Sequence, residues 1–357
     1  MSPPSARRSP VVAVIVGSLG NLVEWYDFYA YAAFALYFAR SFFPEGNELA
    51  QQLSAALVFA LGFLVRPLGG WFFGRMADRV GRRSALTLSV LLMCFGSLLI
   101  AVTPTYATIG NLAPAVLVVA RILQGLSLGG EYGASATYLT EVAPAHRRGL
   151  SSSFQPVTII GGQLLALGVL LVLQRALLTP QQITSWGWRV PFFIGAILAV
   201  VAAGMRRTLH ETPAFEATRA RAAAAAARDG TLRELLRHPR EVAIVVGLSV
   251  GGTAAFYTYT TYMQKFLRLS AGLTEEQTSW VTAGSLVFAM LLQPLYGLLS
   301  DRIGRKWLLI GFGVFGTATT IPILGALEQT RDPAVALALL CAAWLVVSGY
   351  IISGESK

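Results

Sequence analysis

Apolar residues gather into ten runs of roughly membrane-spanning length, each closed by a short polar or Gly- and Pro-bearing turn. A helix needs about twenty apolar residues to cross the hydrocarbon layer. The pattern therefore predicts spans near 11–38, 54–73, 84–102, 114–138, 154–173, 190–203, 242–266, 281–299, 308–327 and 334–352. One long polar segment, near 206–240 and containing the run Ala222 to Ala227, breaks the series after the sixth span and reads as a partly helical linker.

Two of the short turns are copies of each other. Gly74-Arg75-Met76-Ala77-Asp78-Arg79-Val80-Gly81-Arg82-Arg83 separates the second and third spans. Gly297-Leu298-Leu299-Ser300-Asp301-Arg302-Ile303-Gly304-Arg305-Lys306 separates the eighth and ninth. A ten-residue match in the same context implies two related halves. Its glycines permit tight turns, its Asp can accept from orphan amides at a helix start, and its basic cluster favours the cytoplasmic side. The expected organisation is a six-helix bundle over 1–205, a cytoplasmic linker over 206–240 and a second bundle of helices 7 to 10 over 241–357. Ten spans fit poorly with a repeat of six, so a C-terminally truncated chain is expected, and a non-transporting fragment stays open as a reading.

Composition agrees with this fold class. The chain is 55% hydrophobic and 13% charged, with mean hydropathy +0.60, which places it among all-α polytopic membrane proteins. A net charge of +10 would suit nucleic acid, but most of the 28 Lys and Arg residues fall in the amino terminus and in alternate loops. That is the positive-inside pattern, and it predicts a cytoplasmic N-terminus in a multi-pass membrane protein without a nucleic-acid partner. The apolar run that follows Arg7 and Arg8 carries Glu24 and Asp27 and reads as a retained helix rather than a signal peptide. Cys94 and Cys341 sit inside apolar runs and suggest neither a disulfide framework nor a metal site. His146, His210 and His238 are all in loops, and no Ser or Cys of a span stands beside a base, so an enzyme is not expected and no cofactor is called for.

Polar residues within the spans carry the functional reading, because each is costly in hydrocarbon. Gly17, Gly20, Glu24, Asp27 and Tyr31 recur at three- and four-residue steps and share one face of the first span. In the fourth span Arg121, Gln124 and Glu131 fall within an arc of about 80°, beside Gly125, Gly129 and Gly133, which favour close packing. Arg66 precedes Pro67 in the second span, Gln155 and Gln163 lie in the fifth, and Tyr257, Tyr259, Thr260, Tyr262, Gln264 and Lys265 in the seventh. Guanidinium groups with amides and a lysine describe a site for a small carboxylate. The substrate candidates are Arg66, Arg121, Gln124, Gln155, Gln163, Tyr257, Gln264 and Lys265. Glu24, Asp27 and Glu131 are candidates for proton coupling. The gating candidates are Gly74, Asp78, Arg79, Gly81, Arg82, Arg83, Gly297, Asp301, Arg302, Gly304 and Arg305. Plainer roles stay open: Arg66 as a snorkelling charge, Arg121 as the partner of Glu24, Asp27 or Glu131, and Trp186-Gly187-Trp188-Arg189 as an interfacial aromatic belt with a cation anchor.

The repeated Gly-x-x-x-Asp-Arg-x-Gly turn resembles the signature of the major facilitator superfamily. Gly20-Asn21-Leu22-Val23-Glu24-Trp25-Tyr26-Asp27, Arg66-Pro67-Leu68-Gly69-Gly70, Gln124-Gly125-Leu126-Ser127-Leu128-Gly129-Gly130-Glu131-Tyr132 and Trp186-Gly187-Trp188-Arg189-Val190-Pro191-Phe192 narrow the match to its metabolite:proton symporters. Gly161-Gly162-Gln163-Leu164-Leu165 and Phe256-Tyr257-Thr258-Tyr259-Thr260-Thr261-Tyr262-Met263-Gln264-Lys265 look like the branch that transports 2-oxoglutarate. The resemblance implies a two-bundle fold of twelve helices, about ten of them present, and a monomer in the lipid bilayer. It also implies alternating access and symport of a small dicarboxylate with protons; citrate, shikimate and proline or betaine are the alternative substrates. It further implies that Asp301 packs against the cytoplasmic end of the fifth helix.

Overall fold

The computed structural model describes residues 10–44, 46–142, 148–206 and 237–355. Arg7 and Arg8, Glu45, His146, His210 and the alanine run lie outside the described residues, as do the side chains of Asp78, Arg82, Arg83, Glu131 and Lys265. Among the described residues all regular structure is helical: α1 (Pro10–Phe42), α2 (Glu48–Leu64), α3 (Arg66–Val80), α4 (Arg82–Val102), α5 (Tyr106–Ile109), α6 (Leu112–Val142), α7 (Arg148–Ser152), α8 (Phe154–Val172), α9 (Pro180–Ser185), α10 (Val190–Arg206), α11 (Pro239–Tyr257), α12 (Met263–Leu269), α13 (Glu275–Ile303), α14 (Arg305–Gln329) and α15 (Pro333–Glu355). Among them, nine helical segments are long and apolar enough to cross a membrane. The 33-residue α1, whose apolar run is interrupted by Glu24 and Asp27, is a further long helix. The protein is an all-α polytopic membrane protein.

The chain divides into two compact units, one within Met1–Val142 and Gly161–Ala227, the other within Ala143–Ile160 and Arg228–Lys357. The division does not follow the expected bundle limits at the fifth span. The start of the fifth span groups with the second unit because α7 packs on α13.

In the first unit, small residues on α6 bring the second span unusually close. A Cβ built on Gly125 would stand 2.3 Å from the Gly62 carbonyl oxygen, and one on Gly129 2.1 Å from that of Arg66. Real side chains cannot occupy that space, so only glycine allows the contact. The second span is interrupted as a regular helix at one residue, Val65, whose φ and ψ stay helical. Pro67 lacks the N–H that would bond the Phe63 carbonyl, and the helix breaks at Val65, between α2 and α3, with Pro67 in the first turn of α3. Arg66 is placed at that break.

The aromatic core of this unit collects Tyr31, Phe34, Phe38, Phe42, Trp188 and Phe192. Trp188 is therefore no interfacial residue: it is fully buried against Phe38 and Phe42. Arg189 also does more than anchor. Its Nη1 donates to the carbonyls of Ala101 and Thr103 at 2.6 and 2.7 Å, satisfying acceptors that α4 leaves open at its C-terminus.

In the second unit the predicted seventh span carries a π-helical turn over Thr258–Tyr262, between α11 and α12. Such a turn rotates the side chains beyond it relative to a regular helix, and it is frequent at functional sites. Both hinges turn on the same motif glycine. Gly81 (φ 121°) links α3 to α4 and Gly304 (φ 83°) links α13 to α14, each in a backbone region that favours glycine.

Candidate functional site

The first unit holds a buried polar chain running across three helices. Gln124, on α6, donates from Nε2 to Asp27 Oδ2 on α1 at 2.6 Å and to Ser97 Oγ on α4 at 3.0 Å. Its Oε1 accepts from Arg121 Nη1 at 2.8 Å. Ser97 adds a second, very close hydrogen bond to Asp27 Oδ2. Arg121 thus reaches Asp27 through an amide. Both polar ends of Gln124 are engaged within the unit, between those two charges. The orientation of its amide follows from chemistry, since only the oxygen can face the guanidinium and only the nitrogen the carboxylate.

Arg121 is fully buried, and its remaining donors, Nε and Nη2, have no hydrogen-bond partner among the described residues. Aromatic rings enclose the guanidinium instead: Tyr31 at 4.3 Å, Phe28 at 4.8 Å and Phe59 at 5.0 Å from its central carbon. Each such contact contributes about 1–2 kcal/mol when desolvated. They hold the cation in place while leaving its Nε–Nη2 edge without an acceptor. That edge is the one that matches a carboxylate with two parallel hydrogen bonds. Gly62 adjoins it, since a Cβ there would stand 3.2 Å from Nη2.

Arg66 stands on the other part of the same aromatic group. Its guanidinium carbon lies 4.5 Å from the Phe28 ring, 4.1 Å from Phe63 and 5.3 Å from Trp25. One phenylalanine therefore contacts both arginines, which brings the half-buried Arg66 and the buried Arg121 to one aromatic group. Glu24, one turn before Asp27, is fully buried and lies 3.1 Å from Ser127 Oγ, which also bonds the Ser89 carbonyl.

The other predicted residues are placed as follows. Gln163 is half-buried in the first unit. In the second, Gln155 is buried, Tyr257 and Gln264 are half-buried, and Lys265 is in α12. Glu131 lies on α6, about two turns beyond Gln124. Asp301 receives hydrogen bonds from the backbone amides of Gly149 at 2.7 Å and Leu150 at 3.0 Å, in the first turn of α7. This is the packing against the start of the fifth helix that the sequence resemblance implies. Gly297 closes the same contact: its Cβ would stand 2.8 Å from the Gly149 carbonyl oxygen. At the matching position of the first hinge, Gly74 has nothing among the described residues within 4 Å of where a Cβ would be.

Ser97 and Ser127 were not expected. Hydroxyls are common in apolar helices, where they usually bond their own backbone. The spacing of Ser89 and Ser97, about two turns apart on one face of α4, was the only signal available.

Comparison with known proteins agrees with this architecture. A family profile described as "Sugar (and other) transporter" matches residues 13–237. The chain is 50% identical over 354 residues to the alpha-ketoglutarate permease of Escherichia coli K12, spanning 99% of this chain and 80% of that one. It is 33% identical to a proline/betaine transporter of Salmonella typhimurium, over 87% of this chain and 63% of that protein's length. Among solved structures, the proton:xylose symporter XylE superposes with a TM-score of 0.72 at 22% identity, over 97% of this chain and 80% of its own, a likeness of fold. With its repeated Asp-Arg-Gly hinges, its helical fold and these matches, the chain belongs to the major facilitator superfamily, in its sugar (and other) transporter family, and is a membrane transporter rather than an enzyme.

Proposed function

We propose that this protein is a proton-coupled symporter of a small dicarboxylate, 2-oxoglutarate, working by alternating access in a bacterial inner membrane with its N-terminus in the cytoplasm. The observation that carries the reading is Arg121, a fully buried guanidinium whose carboxylate-matching edge has no partner among the described residues. A buried cation in that state is costly unless an anion meets it. Arg66, sharing the Phe28 ring, is the candidate for the second carboxylate. In the second unit Gln155, Tyr257, Gln264 and Lys265 are the candidates for substrate contact, and Gln163 in the first. Asp27 is the leading proton-binding group, with Glu24 and Glu131 beside it in that role. Asp78, Arg82, Asp301 and Arg305 belong to the gate, with the other residues of the two hinges. Half-identity to a named alpha-ketoglutarate permease over nearly the whole chain supports the substrate.

Zwitterionic proline or betaine, suggested by the second relative, has no net charge to offset the buried Arg121 and the half-buried Arg66 beside it. The test is uptake of labelled 2-oxoglutarate by cells expressing this chain, with unlabelled citrate, shikimate and betaine as competitors. Saturable uptake that a protonophore collapses and betaine leaves untouched is the expected result. If citrate or shikimate competes with higher affinity than 2-oxoglutarate itself, the substrate assignment fails and the symporter class stands.

A further inference from the structure

The two oxygens of the Asp27 carboxyl are unequal. Oδ2 accepts from both the Ser97 hydroxyl and the Gln124 amide. Oδ1 is buried and has no hydrogen-bond partner among the described residues. What lies against Oδ1 is the backbone of α10 at Gly195, where a Cβ would stand 2.5 Å from it and 3.4 Å from the Tyr26 ring. A methyl group cannot be held that close to an oxygen in a packed interior. α10 is tied to α1 at the same place, since the Tyr26 hydroxyl donates to the Pro191 carbonyl at 2.9 Å.

We infer that Oδ1 is the proton seat of Asp27 and that Gly195 is a positioning residue, keeping the carboxyl in register with its two donors on Ser97 and Gln124. The inference rests on the reading of Asp27 as a proton-binding group and adds to it which oxygen takes the proton and which residue sets the conditions. An oxygen accepting two hydrogen bonds has its lone pairs committed to donors. A proton arriving at the carboxyl therefore forms its O–H bond at the other oxygen, and Oδ2 continues to accept as a carbonyl. Release reverses this, leaving a carboxylate whose charge Ser97 and Gln124 stabilise. Gly195 has no side chain to displace the carboxyl, so the backbone of α10 can lie directly against Oδ1.

Other charged or titratable groups surround this seat without competing for Oδ1. On α1 they are Tyr26, Tyr31 and Glu24. α4 supplies Cys94, whose thiol faces the Ala196 carbonyl at 3.4 Å, and α6 supplies Arg121, held off by Gln124. Arg66, at the start of α3, reaches the same aromatic group through Phe28. Between Val190 and Ala203, α10 offers no titratable side chain.

Two substitutions follow. Gly195→Ala drives the carboxyl away from α10 and breaks its alignment with both donors. Ser97→Ala removes one donor and adds nothing. Each withdraws hydrogen bonds from the ionised form, so the proton is held to more alkaline pH. The measurement is a pH titration by infrared difference spectroscopy of the full chain reconstituted in lipid, following the band of the protonated carboxyl. Asp27→Asn, which lacks that band, identifies it. The band's midpoint is expected to move by about one pH unit toward alkaline in both variants. An unmoved midpoint in Gly195→Ala overturns the inference. Should that variant fail to reach the membrane, an unmoved midpoint in Ser97→Ala does the same. If Asp27→Asn leaves the spectrum unchanged, Asp27 is not the proton site, and the underlying reading fails before the question of its two oxygens arises.

Discussion

The two units share a hinge motif but differ in what they bury. Among the described side chains, every charged group that is fully enclosed, Glu24, Asp27 and Arg121, belongs to the first unit. The second encloses neutral polar groups: Gln155, Thr260, Thr278, Thr282, Ser285, Gln293, Ser300 and Ser348. Its Asp301 is exposed and acts at a helix start. Burying an ion costs several kcal/mol more than burying an amide or hydroxyl. Among the described side chains, the first unit therefore carries the electrostatic burden that the proposed coupling of an anion to a proton requires, while the second encloses no charge. The repeat preserved the turn between helices and allowed the interiors to diverge.

The sharpest way to break this contrast is to remove the charge at its centre. Arg121→Gln keeps a polar side chain in the first unit but loses both N–H groups of the open edge. Two charge-assisted hydrogen bonds contribute about 1.5–3 kcal/mol each, so saturable dicarboxylate uptake should fall by more than about 100-fold, to background. Membrane content, measured by immunoblot, should be retained. Uptake near the wild-type level would take Arg121 out of the binding site and return it to a structural role beside Asp27.

Asp301→Asn tests the charge that the second unit keeps at its hinge. The amide can still accept from one of the two α7 backbone N–H groups, but its nitrogen then faces the other donor. A gate residue should change the rate of turnover rather than the affinity. Maximal uptake is expected to drop about tenfold, with the half-saturating concentration within about twofold of wild type. A rise in that concentration with unchanged maximal rate would assign Asp301 to substrate binding instead.

Much of this arrangement was legible in the chain. Ten spans and two copied hinges followed from apolar run length and from a ten-residue match, both strong signals. The shared face of Glu24, Asp27 and Tyr31 followed from helical period. What the period could not convey was which atoms meet. Helical period places Gln124 on the face of Arg121 but does not show that its two ends bridge Arg121 and Asp27, which is set by side-chain reach between α1 and α6. Trp188 looked interfacial because aromatic and cationic neighbours at a span end usually are, but the packing of Phe38 and Phe42 enclosed it. The break at Val65 was signalled by Pro67 and overlooked within an apolar run. The π-helical turn at Thr258–Tyr262 has no signature in the pattern of apolar and polar residues.

The smallest predicted effect comes from the second unit's interior, where Gln293→Leu exchanges an amide for a group of similar size. Gln293 Nε2 donates to the Ala289 carbonyl in its own helix at 2.9 Å and to Ser348 Oγ on α15 at 3.1 Å. Its Oε1 is buried with no partner among the described residues. The substitution therefore loses one hydrogen bond between helices, about 0.6 kcal/mol within a membrane, and removes an acceptor that already bears a desolvation cost. These effects oppose each other, so the thermal aggregation midpoint in detergent should move by only about 2–4 °C. The half-saturating concentration for uptake should stay within about threefold of wild type. A neutral exchange that proved as damaging as Arg121→Gln would mean that the second unit also binds through a polar group with no spare tolerance. The division between an ionic unit and a neutral one would then describe where charges lie and not where the work of recognition is done.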